Sequence, residues 1–405
     1  MHVHDAVVVG AGPAGSSAAH FLRARGLDVL LLDRAEFPRD KTCGDGLTPR
    51  ALRVLEAMDL LAEVRARACR IHGYEVIAPN GRSTTAAISG EPGALVIPRL
   101  ALDKIILDRA IGSGAIFEPG VTVTRVVPSD NGARVLTSDS RFFEGRVAII
   151  ATGAATSVLR RSGILDTQPR AMLAARAYFE NLQADLTPTF QLRFDGVPSP
   201  GYGWVFPTSP RSANVGVGFL PHRRSGTATQ ALHRFTSGGR VARTIAGARQ
   251  NGPTKGYPIR VDFLRSPTFA DRTLLVGEAA GLVNPLTGEG IDYALESGKI
   301  AAEHVVQGLT SGVHSAWLTD YDRLLRVRFE KIFRFSEWIR DWYCKPPLLN
   351  LLVPLADRRP ELRQQLANVV LGEREPRGYG PMTIAARLIV YLAAHARHGG
   401  APAHD

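Results

Sequence analysis

The run DAVVVGAGPAGSSAAHFL, residues 5–22, constrains the fold more than any other part of the chain. Its β-branched stretch reads as a buried strand, the glycines as a tight turn, and the alanine-rich continuation as a helix. Each glycine has a separate task. Gly10 permits the turn, Gly12 lets the backbone approach an anion, and Gly15 lets the helix pack closely on the strand. Pro13 suits the first helical position, and the unpaired amides from Ala14 onward point at a pyrophosphate. A second strand, DVLLLD at residues 28–33, ends in Asp33, followed by Arg34. This acid comes about 20 residues after the turn, where a carboxylate accepts hydrogen bonds from ribose hydroxyls. Strand, turn, helix, strand and terminal acid in register describe a dinucleotide-binding βαβ unit. The acid alone does not separate NAD from FAD.

At 405 residues the chain exceeds what one hydrophobic core usually organises, which predicts two domains or one with a large insertion. Cys43, Cys69 and Cys344 are scattered without CxxC pairing. They point to a reducing compartment and argue against a disulfide framework or a metal site. No secretory pattern opens the chain, and no run approaches the roughly 18 apolar residues of a spanning helix. The expectation is a cytoplasmic protein, with peripheral contact at the inner face of the membrane as a further option. The formal charge of +11 is spread as arginine, without a nucleic-acid motif, so no nucleic-acid partner is expected.

A second glycine-rich segment, TLLVGEAAGLVNPLTGEGI at residues 273–291, resembles the "GD…NPxxGEGI" segment of flavoproteins with the p-hydroxybenzoate hydroxylase fold. The resemblance implies FAD, with Gly277 and Glu278 at the ribityl chain. It places Pro285, Gly288, Gly290 and Ile291 where a helix start faces the flavin. The positive end of a helix over Gly290 to Gln307 would stabilise negative charge on the reduced ring. Glu278 stands where the family usually has aspartate. IIATGAATSVLR, residues 149–160, resembles the family's "DGxxS" segment, retaining Gly153 but with Thr152 replacing the aspartate. That departure counts against a conventional NADPH-driven hydroxylation cycle. IPRLALD, residues 97–103, resembles "RxxLD", which implies Arg99 beside the flavin; an ordinary surface helix is the other reading.

Two further segments narrow the branch. FPRDKTCGDGLTPR, residues 37–50, resembles the "KPCGDGLTPRA" loop of the geranylgeranyl reductase family, which includes menaquinone reductases that saturate one isoprenyl double bond. Thr42 replaces the usual proline. The resemblance implies Cys43 and Gly44 at the flavin, with Asp45 and Gly46 toward the substrate. A thiol beside an electropositive loop has a tunable pKa, so Cys43 could donate a proton or position an alkene; a small buried filler is the alternative. GYGWVFP at 201–207 and ANVGVGF at 213–219 resemble the family's "YxWxFP…NVGxG" hairpin. Tyr202, Trp204 and Phe206 share one face by the period of two, a flat apolar wall suited to a polyprenyl chain, or else sheet core. The WxWxIP segment of halogenating relatives is not found.

The predicted fold class is α/β (α+β), with a Rossmann-like FAD-binding domain, an inserted antiparallel-sheet substrate domain and a helical C-terminal region. The FAD domain takes residues 1–73, 98–165 and 269–312; the substrate domain takes 74–97 and 166–268; the helical region is 313–405. Residues 120–150 read as a β-meander with a turn at Asp130-Asn131-Gly132. Trp317, Tyr321, Leu325 and Phe329 recur at helical spacing. A further helix from Met382 to about His395, flanked by Arg387 and Arg397, is expected to dock on the body or touch an anionic membrane. The predicted function is reduction of isoprenoid carbon–carbon double bonds by hydride from reduced flavin. Cys43, Tyr202 and Trp204 are the candidate catalytic residues, and Cys43, Tyr202 or water the candidate proton donors. NAD(P)H, ferredoxin and a quinol all stay open as electron donors, since no second βαβ fingerprint appears. Two other readings are an FAD-dependent monooxygenase of an aromatic or polyketide substrate, and a non-redox cyclase with structural FAD.

Overall fold

The computed structural model describes residues 2–88, 93–130, 132–311, 315–342 and 344–364. The opening strand, Val3–Val9, lies inside an eight-stranded sheet, flanked in parallel by Val29–Leu32 and Phe142–Ile150. Ile116–Glu118 and Thr273–Leu275 extend the parallel set on either side. Strands of a parallel sheet are covered on both faces and therefore read as continuous apolar runs. Ala6 through Val9 and Val29 through Leu32 are accordingly at most 4% exposed. The expected meander forms as the antiparallel strands Val123–Ser129, Gly132–Thr137 and Phe142–Ile150.

The turn after the first strand is set by lack of space. Gly10 has φ +105°, and a Cβ there would lie 2.5 Å from the Ala151 carbonyl oxygen. A Cβ on Gly15 would lie 1.8 Å from the Gly10 carbonyl oxygen, so the helix Pro13–Arg23 can seat only on a bare backbone. On its other side this helix meets Ile291–Ser311, where Gly298 permits the same closeness to the Ala14 carbonyl.

A second sheet of seven strands runs in the order Arg249–Arg260, Ala171–Glu180, Ser212–Phe219, Gly201–Ser209, Thr189–Arg193, Gly73–Ile77 and Ser83–Ala87. Neighbours are antiparallel except for Thr189–Arg193 with Gly73–Ile77. A third sheet was not anticipated from the sequence: Gly46–Leu47, Ala94–Val96 and Cys69–Ile71. It is short, but the Ile97 amide also donates to the Asp45 carbonyl at 3.0 Å, so the cysteine loop is tied to the start of the Arg99–Gly112 helix.

The helix Ser315–Trp342 buries Trp317, Tyr321, Leu325 and Phe329 against the first sheet. Burying each such side chain contributes roughly 1.5–3 kcal/mol, and the Tyr321 hydroxyl donates to the Leu275 carbonyl at 2.9 Å. Pro346 then opens a separate helix, Pro346–Asp357, as its missing amide allows. The helix expected from Met382 to about His395 lies outside the described residues. Among the described residues no helix is long and apolar enough to cross a membrane.

Gly15→Ala is expected to lower stability by about 1–3 kcal/mol or more through overpacking, whereas Gly112→Ala, at a helix position with open space around it, is expected to leave stability unchanged or slightly raised. Thermal and chemical denaturation of the two variants side by side checks this.

Candidate active site

A cavity of about 1630 Å³ begins at the C-terminal ends of the first two strands and continues across the face of the seven-stranded sheet to the C-terminal helices. The entrance half is a cradle. Gly12 precedes the helix Pro13–Arg23, and the first atom a Cβ there would meet is Nη2 of Arg39, at 3.3 Å. The Asp33 carboxylate is held by the Ala11 amide at 2.7 Å and the Ala35 amide at 2.8 Å. Each oxygen keeps a further lone pair for a hydroxyl donor.

Beside the cradle, Arg99 is 5% exposed and forms a fork to both oxygens of Asp103 at 2.6 and 2.7 Å. Arg39 reaches the same Asp103 at 3.0 Å. Burial by itself would lower the pKa of Arg99; the Asp103 carboxylate more than offsets this and raises it. A guanidinium this deep excludes the surface-helix reading of Arg99. Two cations share one carboxylate, which leaves net positive charge between the cradle, where Arg39 meets Gly12, and the cysteine loop, where Arg99 faces Cys43. A turn that a Cβ would fill, an anchored acid and this charge fit FAD.

Glu278 has a different surrounding from the one its motif implied. Its Oε1 accepts from the Arg260 amide at 3.0 Å, and Oε2 lies 3.5 Å from Lys41 Nζ. The longer side chain thus joins the end of the second sheet to the cysteine loop while still lining the cavity, opposite Gly153. Of the expected cofactor residues, Gly15, Gly277 and Pro285 do not line the cavity, and all the others do. Gly15 and Gly277 serve helix packing instead.

The cysteine loop is pressed onto the aromatic wall. A Cβ on Gly44 would lie 3.1 Å from Phe206, and one on Gly46 3.0 Å from Phe190. Tyr202, Trp204 and Phe206 follow one another with ring centroids 6.1 and 6.2 Å apart. Phe190 and Tyr74, which sequence reasoning missed, extend the row. The glycine interleaving now has a cause: the Trp204 indole lies where a Cβ on Gly216 would be, 2.1 Å from Cζ2. Trp204, expected among the catalytic residues, commits its only polar hydrogen to Asn214 Oδ1 at 2.9 Å. Its indole stands in the aromatic wall with that hydrogen directed away from the cavity lining, at Asn214.

That bond also orients Asn214, because an indole N–H can only donate. Asn214 Nδ2 then donates to the Cys43 carbonyl at 2.7 Å and to Asp45 Oδ2 at 2.8 Å. The Tyr178 hydroxyl donates to the same Asp45 oxygen at 2.5 Å. Asp45 sits at φ 67°, in the left-handed region, and its amide donates to Cys43 Sγ at 3.3 Å. Burial pushes the Cys43 thiol up, against the weaker pull of Arg99, so the electropositive loop does not produce a thiolate. Burial likewise raises the Tyr202 phenol, whose hydroxyl donates to the Thr287 carbonyl. Asp45 is raised to about 6, by burial first, against the opposing hydrogen bonds from Tyr178 and Asn214. Tyr178 and Asn214 were not singled out from the sequence. An asparagine inside the apolar run ANVGVGF was the available signal for one; Tyr178 lies in an ordinary-looking strand.

Gly216→Ala is expected to displace the Trp204 indole, shifting its fluorescence emission and weakening binding of an apolar ligand while flavin is retained. Fluorescence spectra and ligand titrations of the variant check both.

A family model described as an FAD binding domain matches residues 4–144. The chain is 34% identical over 383 residues to a menaquinone reductase of Mycolicibacterium smegmatis, spanning 88% of this chain and 89% of that protein. It is 33% identical to digeranylgeranylglycerophospholipid reductase 1 of Methanopyrus kandleri, over 82% of this chain and 87% of that one. Among solved structures, a geranylgeranyl bacteriochlorophyll reductase-like protein from Thermoplasma acidophilum superposes with a TM-score of 0.76 at 23% identity, covering 91% of this chain and 100% of that one. Identity this low carries the fold alone, and the two longer sequence matches carry the family. The cradle, the cysteine loop and the aromatic hairpin stand together in a chain that belongs to the geranylgeranyl reductase family of FAD-dependent oxidoreductases.

Proposed function

We propose that the protein reduces carbon–carbon double bonds in the isoprenoid chain of a quinone or lipid, with FAD as its redox group. The observation that carries this reading is the continuity of the cavity. It leads from the glycine cradle, under the wall of Tyr202, Trp204 and Phe206, to an end lined by Ile332, Phe335, Leu352 and Val353. An apolar chain threaded there gains roughly 25 cal/mol for each Å² of surface removed from water. The names of the two similar reductases support the same substrate class.

FAD, when bound, supplies the hydride. The chain's own residues do the rest. The turn at Gly10 and Gly12, with Asp33, holds the dinucleotide, while Arg39 and Arg99 offset its pyrophosphate charge. Glu278, Gly288, Gly290 and Ile291 line the flavin side. Cys43, Gly44, Asp45 and Gly46 close the reacting region against the aromatic wall, excluding water and holding the alkene in one orientation. On this reading residues 1–73, 98–165 and 269–312 serve the cofactor, and 74–97 and 166–268 the substrate. Electrons arrive from NAD(P)H, ferredoxin or a quinol. An isoprenoid lipid is collected by peripheral contact with an anionic membrane surface, for which the net charge of +11 is favourable.

The test reduces the holoprotein anaerobically, adds a menaquinone or a geranylgeranyl lipid, and compares product masses before and after admitting air. A gain of two hydrogens without oxygen is expected. Gain of an oxygen atom only after air would overturn the reading in favour of a monooxygenase.

A further inference from the structure

We propose that His2, His4 and Asp28 form a binding site for a divalent cation of the zinc type, which ties the first strand of the eight-stranded sheet to the second at the end away from the cradle. The scattered cysteines gave no sign of a metal site, and these histidines were not singled out from the sequence. The inference does not depend on the reading that an alkene is reduced.

The donor atoms converge from the starts of two strands. His2 precedes the strand Val3–Val9 and His4 lies in it, two residues on, so alternation sends both rings to one face. Their centroids are 4.5 Å apart, edge to face. Asp28 immediately precedes the strand Val29–Leu32. His2 Nε2 and His4 Nδ1 each lie 2.7 Å from the same oxygen, Oδ2 of Asp28, and the three donor atoms all lie within 4.8 Å of one another. Surface acids such as Glu118, Asp139 and Asp185 meet arginines, which have no lone pair to offer a metal. The partners of Asp28 are imidazoles, which do.

Two of the three residues are fixed and one can move. His4 is 8% exposed, and the strand that carries it is paired on both sides. The Asp28 backbone is held at both ends: its amide donates to Asp5 Oδ2 at 2.9 Å, and its carbonyl accepts from the Ala6 amide at 3.1 Å. Asp5 in turn pairs with Arg146 at 3.1 Å, which offsets its charge and leaves Asp28 the net negative group of the cluster. The His2 side chain is 69% exposed, so an ion reaches it directly from solvent. Around a tetrahedral zinc ion, bonds of about 2.0–2.2 Å put neighbouring ligand atoms roughly 3.3 Å apart. Opening the 2.7 Å contacts to that spacing is within reach of the exposed His2 and half-buried Asp28 side chains.

Two nitrogens and a carboxylate oxygen suit zinc and its neighbouring transition ions, whereas magnesium and calcium take oxygen alone. Three protein ligands leave a fourth position for water. The ion replaces the hydrogens now shared with Oδ2, and each imidazole binds through a lone pair once its hydrogen sits on the other ring nitrogen. The cluster stands at the start of the first two strands, and the cavity begins at their far ends. Seven residues of strand put roughly 20 Å between the two. The ion therefore braces the sheet without touching the flavin. The first strand carries the turn of the cradle, so occupancy of the site stabilises the folded cofactor domain by mass action.

Calorimetric titration of zinc chloride into untagged holoprotein washed with chelator tests the site. One equivalent per chain is expected, with a Kd that His2→Ala and Asp28→Asn each weaken at least as much as the roughly 10–100-fold that loss of an outer-shell partner costs. Cobalt(II) chloride in place of zinc is expected to give ligand-field absorption at wavelengths beyond the flavin bands, missing in His4→Ala. Saturating zinc is expected to raise the unfolding temperature of the wild-type protein by roughly 3 °C or more. The exposed position of His2 lets His2→Ala fold normally, and zinc is expected to leave its unfolding temperature unchanged, with flavin content and spectrum as in the wild type. The chain has 11 histidines, so the variants must locate the ion. An equivalent of zinc that persists at wild-type affinity in both His2→Ala and Asp28→Asn, or a wild-type protein that binds none, would overturn the proposal. Either result leaves the alkene-reductase reading as it stands.

Discussion

The Gly15 backbone passes so close to the Gly10 carbonyl that even a methyl group between them would be 1.8 Å from oxygen. Much of the molecule follows from that approach. It seats the first helix on the first sheet, aims the helix start at the end of the strands, and lets the helix Ile291–Ser311 pack behind it through Gly298. The cradle is thus the open end of a packing arrangement. Its anion preference comes from backbone amides that the same geometry leaves unpaired.

The second organising contact is the clamp on the cysteine loop. Residues 43–46 are held by the Ile97 amide, by Asn214 and Tyr178 from two strands, and by the rings of Phe190 and Phe206. These partners come from the seven-stranded sheet and the margin of the small third sheet, so the loop keeps its shape only when both are assembled around it. Holding Asp45 in the left-handed region costs on the order of 1 kcal/mol or more, offset by those contacts. The outcome is a rigid floor under the aromatic wall, which is what orientation of a flexible apolar substrate requires.

Electrostatics in the cavity are arranged by pairing. Asp103 serves Arg39 and Arg99, while Asp40 serves Arg176 and Lys255. Asp45 differs in having both of its close donors on one oxygen, with the two arginines acting on it only through space. A carboxyl held halfway between full pairing and none is the kind of group whose protonation responds to small changes around it.

The cofactor cradle and the sheet alternation were legible along the chain. Glycine spacing, β-branched runs and the period of two are local properties, and the runs at residues 5–22, 201–207 and 213–219 express them without outside help. The small third sheet was not legible, since Gly46–Leu47 and Cys69–Ile71 are too short to announce themselves. Nor was the true setting of Glu278, whose partners Lys41 and Arg260 lie far off in sequence. By itself the sequence determined that this chain carries an FAD-binding unit and that Tyr202, Trp204 and Phe206 share one face of a strand. Only the tertiary structure decided how Cys43, Tyr202 and Asp45 are held and how far burial raises each of them. Ionisation depends on burial and on charges and donors within a few ångströms, and residues 99, 176, 178 and 214 reach Asp45 only once the seven-stranded sheet and the Arg99–Gly112 helix have closed around it.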